Sequence, residues 1–286
     1  MSSFGARVTA ARVAAGPLCV GIDPHEHLLT SWGLPVSADG ARTFGLRVVD
    51  AAAGRVGIVK PQVSFYERFG SVGFAALEDV LGAARAAGLL VIADAKRGDI
   101  GTTMEAYTWA WLEPGSPLES DAVTVNPYLG TDSLRDTLAF AARHDKGVFV
   151  LAATSNPDGP VLQAAHTVDV QSEEKQTVAG RVAADVAWVN RSAAFAGGLG
   201  PIGLVVGATV DRAAVGLTDE LLVGAPLLAP GFGAQGAVPG ELSAIFGSLA
   251  PQVIASESRS ILSAGPDGLV ECIQRRADLY RWSSDG

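Results

Sequence analysis

The chain has 286 residues, of which 48% are hydrophobic and 18% are charged, and these proportions exclude a disordered or coiled-coil protein. Its formal net charge of −9 argues against binding to nucleic acid or to anionic membranes, because such surfaces need a basic stripe. Two distant cysteines predict no disulfide framework, and no apolar run approaches the ~20 residues that cross a bilayer. Since residues 1–7 show no signal-peptide pattern, we expect a cytoplasmic protein.

Eight short apolar runs recur along the chain and predict the strands Leu18–Ile22, Val56–Lys60, Leu89–Asp94, Ala122–Val125, Gly147–Ala152, Ile202–Val206, Leu227–Ala229 and Gln252–Ala255. Stretches with helical periodicity lie between them, for example Phe74–Ala87, Ser133–Arg143, Gln176–Ala196 and Glu241–Ser248. This alternation predicts right-handed βαβ units and a parallel sheet. Eight units favour a single closed (β/α)8 TIM barrel over residues 1–286, with an open doubly wound sheet as the alternative.

A long loop is predicted after the fifth strand. It contains the Gly-Pro-Asp stretch at residues 156–160 and the polar run at residues 171–174. Loops of this length are often lids or binding loops, so we expect residues 157–174 to cover the functional site.

Polar or glycine-rich clusters follow nearly every predicted strand at its carboxyl end. In chain order they are Asp23, Lys60, Asp94 with Lys96, Asn126, Thr154–Asn156, Gly231–Gly236 and Ser256–Arg259. Because the carboxyl ends of barrel strands carry the active site in this fold, these clusters predict one site at one mouth of the barrel.

The third strand ends in ionisable residues. Asp94 and Lys96 alternate along the strand and so share a face, and Asp99 follows after Gly98. Carboxylate, ammonium and carboxylate groups can keep one another ionised, and such an array can deliver a proton to a carbon centre. A purely structural salt-bridge cluster is the alternative, but Lys60 and Asp23 on the same rim favour a functional site.

Residues Gly231–Gly236 together with Arg259 indicate an anion site. Glycines let backbone N–H groups approach an anion, Gln235 can donate its amide protons, and the Arg259 guanidinium suits phosphate. The alternative is a tight turn beside a surface arginine. No metal site is expected, because His25 and His27 have no other His or Cys close in sequence.

These motifs together resemble the orotidine 5′-phosphate decarboxylases, and in particular their longer bacterial (type 2) subgroup. The resemblance covers most of the chain and is carried by Asp94-Ala95-Lys96-Arg97-Gly98-Asp99, Val20–Pro24, Val59–Gln62, Val125–Gly130, Pro230–Gly236 and Ser258–Ile261. It implies conversion of orotidine 5′-monophosphate into uridine 5′-monophosphate and CO2 in pyrimidine biosynthesis, by a carboxy-lyase that needs no cofactor.

The resemblance also implies a role for each site residue. Lys96 would donate the proton, Asp94 would sit beside the substrate carboxylate, and Lys60 and Asp99 would complete the charge network. The protein would be a homodimer in which Asp99 and Thr103 complete the neighbouring site. The other implied substrate contacts are Asp23, Lys60 and Thr103 for the ribose, Ser155 for the pyrimidine, Gln235 and Arg259 for the phosphate, and Asn126 and Gly236.

Two rival functions stay open at this level. Metal-dependent sugar-phosphate lyases or decarboxylases of the same barrel group share the Asp-x-Lys-x-x-Asp pattern, but they carry an acidic residue where this chain has Lys60, which would repel a divalent cation. A non-catalytic nucleotide-binding barrel would need the phosphate site but not Lys96.

Overall fold

A computed structural model describes residues 2–168, 175–192 and 198–282. Its strands are β1 Leu18–Ile22, β2 Ile58–Pro61, β3 Leu90–Arg97, β4 Ala122–Val125, β5 Gly147–Ala153, β6 His166–Val168, β7 Lys175–Thr177, β8 Ile202–Val206, β9 Leu227–Pro230 and β10 Val253–Glu257. The parallel strands form a closed barrel in the order β1-β2-β3-β4-β5-β8-β9-β10, and β1 pairs with both β2 and β10. The predicted (β/α)8 barrel is confirmed, and the open doubly wound alternative is wrong.

Helices surround the barrel and connect its strands. They are α1 Phe4–Ala15, α2 Glu26–Ser31, α3 Ala38–Ala52, α4 Ser64–Glu67, α5 Gly70–Ala86, α6 Gly101–Leu112, α7 Arg135–Arg143, α8 Gly159–Gln163, α9 Val178–Ser192, α10 Asp219–Leu222, α11 Leu242–Phe246, α12 Arg259–Leu262 and α13 Gly265–Trp282, with 3₁₀ turns at Thr131–Leu134, Pro239–Glu241 and Gly247–Gln252. That residues 1–286 form a single domain stays a prediction.

The third strand is longer than its apolar run. The predicted strand stops at Asp94, whereas β3 continues to Arg97, and its register against β4 shifts between Ala93 and Arg97. Such an irregularity lets a strand re-aim a side chain near an active site. Lys96 is therefore held within a strand and not in a loop.

The segment after β5 contains more structure than the predicted loop. Its described part includes α8 and an antiparallel pair of short strands, β6 and β7. Residues 169–174 lie outside the described residues, so the predicted lid stays a prediction.

The amino-terminal mouth of the barrel is closed by apolar side chains. Phe4 of α1 packs edge-to-face against Phe149 of β5, with ring centroids 6.0 Å apart, and one buried cluster joins both rings to Cys19, Ile58 and Ile92 on the barrel strands. The other mouth is therefore the one left for polar groups. No helix in the described part of the chain is long and apolar enough to cross a membrane.

Candidate active site

Asp94 is the centre of a charge network at the carboxyl end of β3. Its Oδ2 atom lies 2.9 Å from the Nζ of Lys60 on β2, and its Oδ1 atom lies 2.5 Å from the Nζ of Lys96. The side chains of Asp94 and Lys60 are nearly buried, whereas that of Lys96 is 45% exposed. The predicted carboxylate and ammonium groups therefore meet, and Lys96 is the exposed end of the network.

Thr124 of β4 completes this network and was not predicted from the sequence. Its Oγ1 atom donates to Asp94 Oδ1 at 3.0 Å and accepts the backbone N–H of Lys96 at 2.9 Å. A single hydroxyl within the apolar strand Ala122–Val125 was the available signal. Thr124 thus holds the carboxylate and the lysine backbone in one geometry.

Lys96 has a left-handed backbone conformation with φ of 48°. This region is unfavourable for a residue with a Cβ, and such strained residues cluster at active sites. The hydrogen bond to Thr124 and the register shift in β3 hold the conformation. The strain is local to the residue that carries the exposed ammonium group.

Opposing effects set the pKa values of the buried pair. Burial alone would raise the pKa of Asp94, but the charges of Lys60 and Lys96 and their hydrogen bonds outweigh it, so the pKa falls well below its usual range. Burial would likewise lower the pKa of Lys60, but the charges of Asp94 and Asp23 outweigh it and raise the pKa above its usual range. Both groups are therefore ionised at neutral pH.

The network lies at the junction of two cavities. The larger cavity, of about 660 Å³, extends toward β5 and β8 and is lined in part by Lys60, Asp94, Lys96, Thr124, Ser155 and Gln235. The smaller cavity, of about 220 Å³, shares Lys60, Asp94 and Gln235 with it and extends to Asp23, Gly231, Ser258 and Arg259. Together they form one cleft of a size that suits a small-molecule ligand.

The smaller cavity holds the residues predicted to bind an anion. Arg259 is exposed at the start of α12, and Asp23 Oδ2 accepts a hydrogen bond from Ser258 at 2.5 Å. The other oxygen of Asp23 is buried and has no hydrogen-bond donor among the described residues. Ser155 donates to Gln235 Oε1 at 3.2 Å and so links the rims of the two cavities.

Four predicted site residues are not among those that line the two cavities of this cleft. Asp99 accepts a hydrogen bond from the backbone of Ile100 and has no ion pair within the described ranges, and Thr103 is exposed on α6. Asn126 accepts the backbone N–H of Tyr128 and lines a separate cavity of about 620 Å³. Gly236, with φ of 109°, lies in the loop after β9. Their substrate contacts stay predictions.

Fold and site together define a (β/α)8-barrel enzyme with a charged cleft at the carboxyl ends of its strands. Residues 16–268 match the family described as orotidine 5′-phosphate decarboxylase / HUMPS family, and the chain belongs to that family.

Individual relatives agree. A protein from Salinispora arenicola, named orotidine 5′-phosphate decarboxylase, is 49% identical over 278 residues, which cover 97% of this chain and 95% of the relative. A protein of the same name from Corynebacterium glutamicum (strain R) is 48% identical over 93% of this chain and 92% of its own length. A crystal structure from Streptomyces avermitilis, named as the same enzyme, has a TM-score of 0.92 with 44% identity, covering all of this chain and 97% of the other.

Proposed function

We propose that this chain converts orotidine 5′-monophosphate into uridine 5′-monophosphate and CO2, with Lys96 as the proton donor. Family membership and relatives of that name over nearly the whole chain support the reaction, which belongs to pyrimidine biosynthesis. The observation that supports the residue roles is the Lys60–Asp94–Lys96 network on the wall of a cleft large enough for a ligand.

The chemistry requires a fixed cation near the reacting carbon. Loss of CO2 leaves an electron pair on a ring carbon that has no adjacent electron sink. A preorganised ammonium group stabilises that charge and then supplies the proton that forms the new C–H bond. Asp94 holds the Lys96 ammonium group at 2.5 Å and lies beside the substrate carboxylate, where its own negative charge favours departure of CO2.

Other residues of the cleft are proposed to bind the ribose, the phosphate and the pyrimidine edge of the nucleotide. Asp23 has a buried oxygen that accepts no hydrogen bond from the described residues, which suits a ribose hydroxyl, and Lys60 lies on the same wall. Gln235, Gly236 and Arg259 bind the phosphate, and Ser155 contacts the pyrimidine edge from the larger cavity. Asn126 lies beside the cleft as a further substrate-binding residue. No step in this scheme uses a metal or an organic cofactor.

The second subunit of a homodimer completes each site with Asp99 and Thr103. Within the described part of its own chain Asp99 has no cationic partner, and Thr103 faces solvent. The nearby side chains of Ile100 and Trp109 are large, apolar and 62% and 49% exposed, which is typical of a surface that binds another protein. We propose further that the protein is a homodimer that binds a small-molecule substrate and has no nucleic-acid or membrane partner. Its proposed location is the cytoplasm.

A subunit-mixing experiment tests the shared site. Lys96→Ala and Asp99→Ala dimers are each expected to be inactive, but mixed dimers contain one site with both native residues. Random mixing in equal amounts should therefore restore about a quarter of the wild-type activity. As the control, Asp99→Ala mixed with the Lys96→Ala/Asp99→Ala double variant forms no native site. Equal activity in both mixtures would show that Asp99 does not act across subunits.

The reaction is tested by the absorbance loss of orotidine 5′-monophosphate with purified protein, with and without a metal chelator. We expect chelator-insensitive formation of uridine 5′-monophosphate. Activity that the chelator abolishes would favour the metal-dependent lyase class, and tight nucleotide binding without turnover would favour a non-catalytic barrel.

A further inference from the structure

A buried carboxylate lies beneath the proposed phosphate site without belonging to the reaction. Glu257 is the last residue of β10, two residues before Arg259, and its side chain is fully buried. Its Oε1 atom accepts a hydrogen bond from the Tyr280 hydroxyl at 2.7 Å, and its Oε2 atom accepts one from Ser260 at 2.5 Å. Arg276 Nε lies 3.6 Å from Oε2. Since a buried charge is costly unless it is paired, this site is built to hold the carboxylate.

The glycine-rich loop after β9 rests directly on this carboxylate. Gly233 has φ of 71°, and a Cβ atom there would lie 2.4 Å from Ser260 Oγ and 2.7 Å from Glu257 Oε2. Only a residue without a side chain can approach so closely. The positions of Ser260 and Glu257 therefore determine where the loop backbone lies at Gly233.

Tyr280 of α13 contacts both Glu257 and the glycine-rich loop. Its hydroxyl donates to Glu257, while its ring packs edge-to-face on Phe232 of the loop, with centroids 5.6 Å apart and planes at 80°. The side chain is completely buried, and burial raises its pKa far above the usual range, with the charge of Glu257 adding to the effect. The hydroxyl therefore stays protonated and donates its hydrogen bond at every working pH.

We propose that Glu257 and Tyr280 are positioning residues for phosphate recognition, which fix the loop 231–236 against α12 so that Gln235 and Arg259 keep the arrangement that a phosphate dianion needs. A carboxylate cannot itself bind the dianion, so its effect passes through Ser260 and Gly233. This inference rests on the proposed assignment of Gln235 and Arg259 to the phosphate. It gives the C-terminal helix a role in substrate affinity.

The test compares ligands with and without the phosphate. Dissociation constants for uridine 5′-monophosphate and for uridine are measured by NMR titration on wild-type protein and on Tyr280→Phe, Ser260→Ala and Glu257→Gln. Loss of a hydrogen bond to a charged group is expected to weaken binding of the nucleotide about tenfold and to raise KM similarly. Binding of uridine should change less than about twofold, because it has no phosphate.

Matched controls separate positioning from general damage. Tyr66→Phe removes another buried hydroxyl, one with no hydrogen-bond partner among the described residues, and Ser116→Ala removes a side-chain hydrogen bond at the other end of the barrel, from Ser116 to the Ala110 carbonyl. Both controls should leave the two dissociation constants unchanged. An equal loss for nucleotide and nucleoside, or no loss in any of the three test variants, would overturn the positioning role.

The Arg259→Ala variant distinguishes failure of the positioning role from failure of the phosphate assignment. If this variant weakens the nucleotide selectively while Tyr280→Phe, Ser260→Ala and Glu257→Gln do not, only the positioning role is wrong. If Arg259→Ala has no selective effect, the phosphate assignment and the positioning role both fail. Ser260→Ala removes only a hydroxyl from a short helix, so it serves as the test if Tyr280→Phe or Glu257→Gln does not fold.

Discussion

Replacing Lys96 with alanine is expected to lower kcat by about 10⁴-fold or more, because one side chain supplies both the proton and the cation that stabilises the carbanion. Uridine 5′-monophosphate should still bind, since the proposed ribose and phosphate contacts are unchanged. The measurement is single-turnover conversion of orotidine 5′-monophosphate, combined with calorimetric titration of the product. Asp94 keeps its ion pair with the buried Lys60 in this variant, so the thermal stability should not fall greatly.

Arg42→Ala is the control for loss of a cation. Arg42 forms an exposed ion pair with Asp79, with about half of each side chain exposed, on the outer helices. Its removal should leave kcat unchanged. A Lys96→Ala variant with activity near that of Arg42→Ala would refute the assignment of the proton donor.

The second large effect is expected for Asp94→Asn, which should lower both activity and stability. The substitution leaves the buried Lys60 cation without its ion-pair partner, and breaking a buried pair in this way costs about 3–5 kcal/mol in the free energy of unfolding. It also releases the Lys96 ammonium group from its fixed position, so kcat should fall by about 10²-fold or more. Urea unfolding and steady-state kinetics measure the two effects separately.

The difference in the free energy of unfolding between wild type and Asp94→Asn should become smaller at acidic pH. The folded pKa of Asp94 lies below its ordinary value of 3.8, so its contribution is fully present above that value. As the pH falls below about 4, protonation of the unfolded chain becomes favourable and the difference shrinks.

Asp79→Asn provides the matched control, because it breaks an exposed ion pair worth less than about 1 kcal/mol. A difference between wild type and Asp94→Asn that stayed constant down to pH 3 would show that the carboxylate is not stabilised by its cations.

The parts of the structure that follow from local sequence patterns were predicted well. All eight predicted apolar runs coincide with barrel strands, because a parallel strand that is buried on both faces needs apolar residues. Lys60, Asp94 and Lys96 were placed together correctly, since strand ends in a barrel meet at one mouth. The limits of the third strand were wrong, because a register shift against a neighbouring strand leaves no mark in the apolar pattern.

Contacts between distant elements could not be predicted in the same way. Thr124 and Ser258 contact Asp94 and Asp23 through the register of neighbouring strands, and a single hydroxyl in a strand gives little sign of its partner. The link between Glu257 and Tyr280 joins β10 to α13, and no pattern along the chain indicates which residue of a helix faces a strand end. Pairing of this kind is decided by packing in three dimensions.

Because α1 closes the amino-terminal mouth of the barrel, residues that stabilise the fold there are separated from the residues proposed to act on substrate. Phe4 and its apolar neighbours close one mouth, and Arg7 of the same helix pairs with Asp121 beside β4, while every group proposed to act on substrate stands at the other mouth. Substitutions at the amino-terminal mouth can therefore change the thermal stability of the protein without altering its reaction, whereas a substitution such as Asp94→Asn at the other mouth is expected to change both. Thermal stability can therefore be engineered at residues of the amino-terminal mouth, away from the residues proposed to determine substrate selectivity.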